Sequence, residues 1–306
     1  MKIALDPYML RDRPFAEVCR IAADIGYDSI ELSPRPDFIP FFTHPRADRA
    51  KVAEFRTALS DTGLELASIL PLYRWSSPDE DERQAAVRYW KRAIELCVDV
   101  GCSTMNSEFN GRPEQAARSE AQFWRSMEEL LPIFEREGIR LNLEAHPDDF
   151  IERNVDAVDM VRGIDSPLVR YVFCAPHMFH LGDDIAAMIE YAAPVLAQVH
   201  IADVLDHRAS SGLRYIVNPP GSTVRVHQHL DIGQGEVDFA ACFAALRRVG
   251  FDGILTSCVF AWEERAVESS RFMYERIRHY LDEGAASATL AASATPAASA
   301  TPAASA

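Results

Sequence analysis

Three short clusters in the second half of the chain combine residue types that hold cations: Cys174-Ala175-Pro176-His177, His200-Ile201-Ala202-Asp203 and His227-Gln228-His229. Neutral imidazole, thiolate and carboxylate are the donors that bind zinc, manganese or iron. Alternate histidines on one extended segment point to the same side, so His227 and His229 can act as a pair. The plainer reading of those two is a solvated loop. Upstream, Ile139, Leu141 and Leu143 alternate with Arg140, Asn142 and Glu144, and His146 follows. A period-two element sends the apolar set one way and Asn142 and Glu144 the other. A carboxylate inside a core must be protonated, paired or metal-bound, because an unpaired buried charge is costly. For Glu144 the alternatives are a cation and a buried ion pair with an arginine.

These residues need a scaffold that brings distant segments to one place. Gly26, Gly63, Gly101 and Gly138 recur at nearly constant spacing, each closing a helical pattern and each followed by a short apolar run. That is the signature of a βα repeat. The expected strands cover residues 3–6, 29–32, 66–70, 104–107, 139–144, 171–174, 198–201 and 254–258. Strands in this number interleaved with helices imply an α/β fold, a closed parallel (β/α)8 TIM barrel in a single domain. The helical patterns expected at 79–100 and from 113 to about 136 support it, as does a last helix marked by Phe272, Met273, Ile277, Tyr280 and Leu281. Catalysis on such a barrel sits at the C-terminal ends of the strands. There the expected strands end in Asp6, Glu31, Asn106 with Glu108, Glu144 with His146, Cys174 with His177, His200 with Asp203, and Cys258. A lone strand histidine is ordinarily a satisfied core residue, whereas convergence from several strands points to a site.

The chain of 306 residues is 48% hydrophobic, enough for one large core. From Gly284 the composition turns to Ala, Ser, Thr and Pro, so residues 284–306 are expected to be a disordered low-complexity tail beyond a domain of residues 1–283. No basic start followed by an apolar run, and no apolar stretch of about 18 residues, predicts export or a membrane span, so a soluble cytoplasmic protein is expected. The six cysteines are scattered without a C-x-x-C pair, which suits reduced thiols. A net charge of −15 disfavours a nucleic-acid partner. Lysine occurs only at Lys2, Lys51 and Lys91, none placed for a Schiff base, and no phosphate-binding G-x-x-x-x-G-K-[ST] loop is present. Gly233-Gln234-Gly235-Glu236 reads as a turn.

The segments 2–6, 141–147, 174–177, 200–203 and 227–238, in this order, resemble the xylose isomerase-like TIM barrel superfamily. That superfamily includes sugar isomerases and epimerases and the endonuclease IV group, and the resemblance spans about residues 1–282. Asp6-Pro7-Tyr8, Glu31-Leu32-Ser33-Pro34-Arg35 and Tyr73-Arg74-Trp75-Ser76-Ser77-Pro78 are most similar to the H-type group of myo-inositol catabolism. In the epimerases a Glu, an Asp, a His and a second Glu at the ends of strands five to eight hold one metal. By position the resemblance implies Glu144 and His200, with Cys174 in place of the Asp and Cys258 in place of the second Glu. One ligand set is therefore Glu144, Cys174, His200 and Cys258, softened toward zinc, with manganese or iron as alternatives. The other is His177, His227 and His229, which match a separate three-ligand position in the endonuclease IV group, with His200 or Glu144 nearby.

The resemblance implies a metal-assisted isomerase, epimerase or dehydratase acting on an inosose, a ketose or a keto-sugar. The shared first step is removal of a proton next to a carbonyl. Glu144 or His146 is expected as base or ligand and Glu108 as a second acid/base. Asn106, Arg208 and Arg214 are expected near substrate oxygens, and Arg35, Arg74 and Trp75 in loops that close over a sugar. Cleavage of a keto-glycoside is the second enzymatic reading. An endonuclease ranks last, given the acidic charge and the missing ligands at strands three and four. A barrel that binds a sugar or a partner subunit without turnover is the non-catalytic reading, and the exposed helical faces are open to self-association.

Overall fold

The computed structural model describes residues 1–205 and 229–293. Eight parallel strands close a barrel in chain order, with β1 (Lys2–Leu5) pairing both β2 (Ser29–Leu32) and β8 (Ile254–Ser257). Between them run β3 (Glu65–Ile69), β4 (Thr104–Glu108), β5 (Arg140–Glu144), β6 (Val169–Cys174) and β7 (Leu196–Ile201). The expected strands agree with these to within two residues at each end. The helices are α1 (Phe15–Ile25), α2 (Arg49–Thr62), α3 (Glu80–Val100), α4 (Ala116–Glu137), α5 (Asn154–Ile164), α6 (Ala175–Leu181), α7 (Ile185–Ala192), α8 (Phe239–Arg248) and α9 (Ala266–Ser293). Among the described residues no helix is long and apolar enough to cross a membrane.

The repeat seen in the sequence is a repeat of helix ends. Gly26, Gly63, Gly101 and Gly138 cap α1 to α4 in the left-handed conformation, and each helix then hands over to the next strand. The start signals are equally local: Asp48, Asp79, Asp184 and Asp238 each accept a hydrogen bond from a backbone N–H in the first turn of the following helix. The last helix continues to Ser293, past the boundary expected at Gly284, and residues 294–306 lie outside the described residues.

The apolar half of each strand's alternation faces the helices. Leu141 and Leu143 of β5 and Val199 and Ile201 of β7 are fully buried there. Aromatic stacks consolidate this layer near β2 and β4: Phe15 and Phe38 lie flat on Phe55, with centroids 3.9 and 4.3 Å away. Trp75 packs on Trp90 at 4.9 Å and on Phe123 at 5.5 Å. Such pairs add about 0.5–1.5 kcal/mol each beyond their burial.

The other half of the alternation fills the barrel, and here the filling is polar. Glu31 Oε2 accepts from Ser68 Oγ (2.7 Å), Asn106 Nδ2 (2.7 Å) and Gln198 Nε2. Asn142 Nδ2 donates to Asn106 Oδ1 at 2.8 Å, and Gln198 Nε2 also reaches Thr256 Oγ1 at 2.7 Å. Six strands, β2 to β5 with β7 and β8, thus contribute to a connected plug around one carboxylate, and the active-site floor rests on it.

Candidate active site

Each strand end that carries chemistry is aimed by its register. Glu108 and Glu144 are direct partners on β4 and β5, and Cys174 and His200 are direct partners on β6 and β7. Glu108, Glu144 and His200 open into a cleft of about 80 Å³ lined also by Asp6, His177 and His229, with Tyr8, Phe41, Leu72 and Phe260 as apolar walls.

Glu144 sits between two imidazoles. Its Oε1 is 2.8 Å from His177 Nδ1 and its Oε2 is 2.9 Å from His200 Nδ1. Burial pushes its carboxyl pKa up, but the charge of His200 and then of His177 outweighs burial and holds it below the ordinary value. His200 is held from below as well, with Nε2 3.1 Å from Glu31 Oε1. Burial opposes its charge, yet Glu31 and Glu144 together lift its pKa well above that of a free histidine.

His177 and His229 form the second half of the cluster. Nδ1 of His177 faces Ala145 O at 3.1 Å as well as Glu144, and Nδ1 of His229 faces Cys258 O at 2.7 Å. All are acceptors, so both Nδ1 atoms carry hydrogen and the Nε2 atoms are left to face each other, 3.3 Å apart. Cys174 Sγ lies 3.9 Å from His229 Nε2. Two Nε2 atoms at this distance share either a proton or a cation. The His177 pKa, raised to about 10 because Cys174 and Glu144 outweigh the burial that would lower it, gives the proton in the absence of a cation. Burial raises the Cys174 thiol, but a hydrogen bond from Cys258 and the charge of His177 and His229 bring it well below the ordinary thiol range. Burial and the neighbouring Cys174 push Cys258 well above it.

Donor atoms of Cys174, His177 and His229 all lie within 4.8 Å of one another, and so do those of Glu144, Cys174 and His200. The two groups share Cys174. A thiolate with two imidazoles whose Nδ1–H groups are fixed by carbonyl acceptors is a donor set that fits a zinc-type ion. The carbonyls set the tautomers before any ion arrives.

Glu108 and His146 lie on the β4–β5 side. Glu108 Oε1 is 3.5 Å from His146 Nε2. Burial, and then repulsion from Glu144 and Asp149, raises the Glu108 carboxyl to about 8. Burial and then His177 lower His146 to about 3, so the pair rests as a protonated acid beside a neutral imidazole. Two in-register carboxylates, one pushed up and one pulled down, make an acid and a base facing one cleft.

Other expected site residues are placed elsewhere. Arg35 is buried, its Nε 2.6 Å from Asp37 Oδ1 and its Nη2 2.9 Å from Arg13 O, with its guanidinium over Phe15 and Phe55. It anchors the β2 loop and does not line the cleft. Trp75 is a core residue that donates Nε1–H to Glu108 O at 3.2 Å, which steadies the β4 end. Asn106 belongs to the polar plug. Asp203 is occupied by backbone N–H groups, accepting from Val204 (2.9 Å), Val237 (3.0 Å) and Gly233 (2.8 Å), so its spacing from His200 serves the loop after β7. Arg208, Arg214 and His227 lie outside the described residues. The sequence did not mark Phe41 and Phe260 as walls, and Tyr8 stood out only within the motif Asp6-Pro7-Tyr8. An aromatic just past a strand end is indistinguishable in sequence from a core residue, and only the ring of Phe260 stacked on His229 at 4.5 Å and 9° shows its use.

Residues 19–276 match the family model described as xylose isomerase-like TIM barrel. The chain is 24% identical over 244 residues to an inosose isomerase of Bacillus velezensis, covering 77% of this chain and 79% of that protein. Among solved structures it resembles D-psicose 3-epimerase of Clostridium cellulolyticum H10, with a TM-score of 0.73, 16% identity, and 92% and 99% of the two chains covered. It also resembles the IOLI protein with a bound zinc atom, with a TM-score of 0.71, 18% identity and the same coverage. The model match spans most of the barrel, from α1 into α9, and the chain belongs to the xylose isomerase-like TIM barrel family.

Proposed function

We propose that this protein is a metal-dependent isomerase or epimerase of a polyhydroxylated carbonyl compound such as an inosose, a ketose or a keto-sugar. The single observation that carries the reading is the in-register pair Glu108 and Glu144 facing one cleft beside the cysteine–histidine donor cluster. The similarity to an inosose isomerase supports the substrate class.

In this reading Glu144 takes the proton from the carbon next to the carbonyl, and Glu108, which keeps its proton at neutral pH, returns one to the neighbouring carbon or oxygen. His200 steadies Glu144 through the 2.9 Å contact, and Glu31 beneath holds the His200 ring in place. Cys174, His177 and His229 would hold a divalent ion, zinc for preference, and Cys258 steadies Cys174 and, through its carbonyl, His229. A bound ion of this kind polarises a substrate oxygen and so lowers the barrier to proton removal. Tyr8, Phe41, Leu72 and Phe260 keep water from the reacting carbon.

The test is wash-in of solvent deuterium. Inososes and ketohexoses are incubated with zinc-loaded protein in D2O and followed by NMR, with metal content measured alongside. A substrate that gains deuterium next to its carbonyl with wild type, and no longer does with Glu144→Gln at unchanged metal content, supports the reading. Exchange that persists in Glu144→Gln, or a preparation that binds no divalent ion, sinks it.

A further inference from the structure

A second cavity of about 140 Å³ adjoins the first across Glu108, which lines both. His146 forms part of its floor, and its sides are Phe42, Arg74, Glu82, Asn110, Arg112 and Asp148. It lies over the loops that follow β3, β4 and β5, on the catalytic face of the barrel.

The backbone of this cavity is unusual. Among the described residues only Phe42, Asn110, Asp148 and Asp165 are non-glycine residues with positive φ, at 48°, 56°, 67° and 53°. Asp165 caps α5, while the other three all line this cavity. Asn and Asp tolerate the left-handed region, but a phenylalanine there is strained and is kept only where the surroundings impose it. Its N–H is held by Leu72 O at 3.2 Å, and the residue remains 45% exposed, so core packing does not explain it. Gly111 is constrained by close approach: a Cβ there would lie 2.3 Å from Phe150 and 2.8 Å from Ser119. Asp149, beneath the floor, accepts from the N–H groups of Asn110 (2.5 Å) and Gly111 (2.7 Å) and fixes the loop.

The charges inside nearly cancel. Arg74 lies 3.4 Å from Glu82 Oε1, Arg112 lies 3.9 Å from Glu82 Oε2, and Asp148 adds a second carboxylate; Glu108 and Asp149 also line the cavity, and burial raises their carboxyls to about 8 and about 7. Arg74 stacks over the Phe42 ring at 4.6 Å. A free anion would have to compete with Glu82 for both guanidinium groups. A neutral ring with hydroxyls around its edge suits the site better, because its C–H face packs on an aromatic and its hydroxyls take bonds from Arg, Asn and Asp together.

We propose that this outer cavity is a binding subsite for a second, neutral sugar ring, so that the substrate is a keto-glycoside spanning both cavities past Glu108. The inference rests on the proposed isomerase reading of the inner cleft and narrows its substrate class. Phe42 supplies the platform, and Arg74, Asn110, Arg112 and Asp148 read the hydroxyls.

The test compares deuterium wash-in for one keto-hexose presented free, as its 6-phosphate and as the keto unit of a neutral disaccharide. Calorimetric titration with the non-reacting sugars maltose, glucose and glucose 6-phosphate runs in parallel. The proposal expects kcat/KM for the keto-disaccharide to exceed that for the free keto-hexose by about a hundredfold, and maltose to bind more tightly than glucose. Phe42→Ala and Arg112→Gln should each lower that preference by about tenfold, with Phe42→Tyr restoring it. Equal kcat/KM for one and two rings, a preference intact in both variants, or tighter binding of the phosphate ester overturns the proposal. If no sugar exchanges deuterium, the inner-cleft reading fails by itself. The maltose-over-glucose preference and its loss in Phe42→Ala then still decide the outer subsite.

Discussion

Glu31 and Glu144 are buried in the same barrel and both touch His200, yet their other partners differ in kind. Glu31 is surrounded by neutral donors, the hydroxyl of Ser68 and the amides of Asn106 and Gln198, none of which can leave without exposing a buried polar group. Among the described residues Glu144 pairs with the two histidines His177 and His200, groups that can release a proton or turn to a cation. One carboxylate is therefore part of the floor and the other is available for chemistry. Burial is the same for both, so burial alone does not mark a catalytic carboxylate; the chemistry of its partners does.

Substitution at the two sites should separate them most sharply in turnover. Glu144→Gln is expected to lower deuterium wash-in by about 10³-fold, the usual size of a lost general base. Glu31→Gln should lower it by only about tenfold, through looser orientation of His200. Comparable losses in both variants, measured at equal metal loading, would erase the distinction between floor and base.

The second contrast concerns the cysteines. Cys174→Asp combined with Cys258→Glu replaces soft donors by hard ones, so the ratio of zinc to manganese retained in a competitive dialysis should fall by at least about tenfold. The Glu31→Gln variant should keep the wild-type ratio. An unchanged ratio in the double variant would mean that Cys174 does not touch the ion.

The third effect is on folding. Glu31→Gln sets an amide N–H against the donors of Asn106 and Gln198, and urea unfolding should show a loss of about 1–3 kcal/mol. Glu144→Gln in chelated protein should lose less, because its histidine partners can give up their protons once the carboxylate is gone. The order of the two midpoints decides the matter.

The barrel was legible because its signals are local. A glycine after each of the first four helices and a period-two alternation in the strands each act within a few residues, and they agreed. The convergence of Glu144, Cys174, His177 and His200 was legible for the same reason, since strand ends in a closed barrel must meet; His229, which lies beyond β7, was expected there only through the resemblance. Partner choice was not. Nothing near Arg35 in sequence says that Asp37 and the Arg13 carbonyl hold it, and nothing near His200 says that Asp203 turns away to staple a loop. The outer cavity was least legible, because its strained Phe42 comes from the β2 loop and its other walls from the loops after β3, β4 and β5. Of these, Arg74 alone was expected near a sugar.

The smallest effect reaches Asp6, which lies near Glu31 at the end of β1. Its Oδ1 accepts from Tyr8 N at 2.9 Å and Ser33 Oγ at 2.6 Å. Burial, and after it the charge of Glu31, raises the carboxyl from an ordinary 3.8 to about 7. The folded chain therefore keeps a proton that the unfolded chain has released above about pH 4. Stability from this source is complete below the unfolded value and is lost as pH rises through about 7. Glu31→Gln removes one of the two causes, so the Asp6 carboxyl should move down and the window should narrow from its upper end. Urea midpoints of chelated protein at pH 5 and pH 8, taken with and without Asp6→Asn, measure this: the part of the difference that Asp6→Asn removes should be smaller in Glu31→Gln than in wild type, and unaltered in Glu144→Gln. An equal shrinkage in both variants would make Asp6 answer to the total charge of the mouth. Shrinkage in Glu31→Gln alone makes Asp6 and Glu31 one electrostatic unit beneath the cleft, set apart from the base above it.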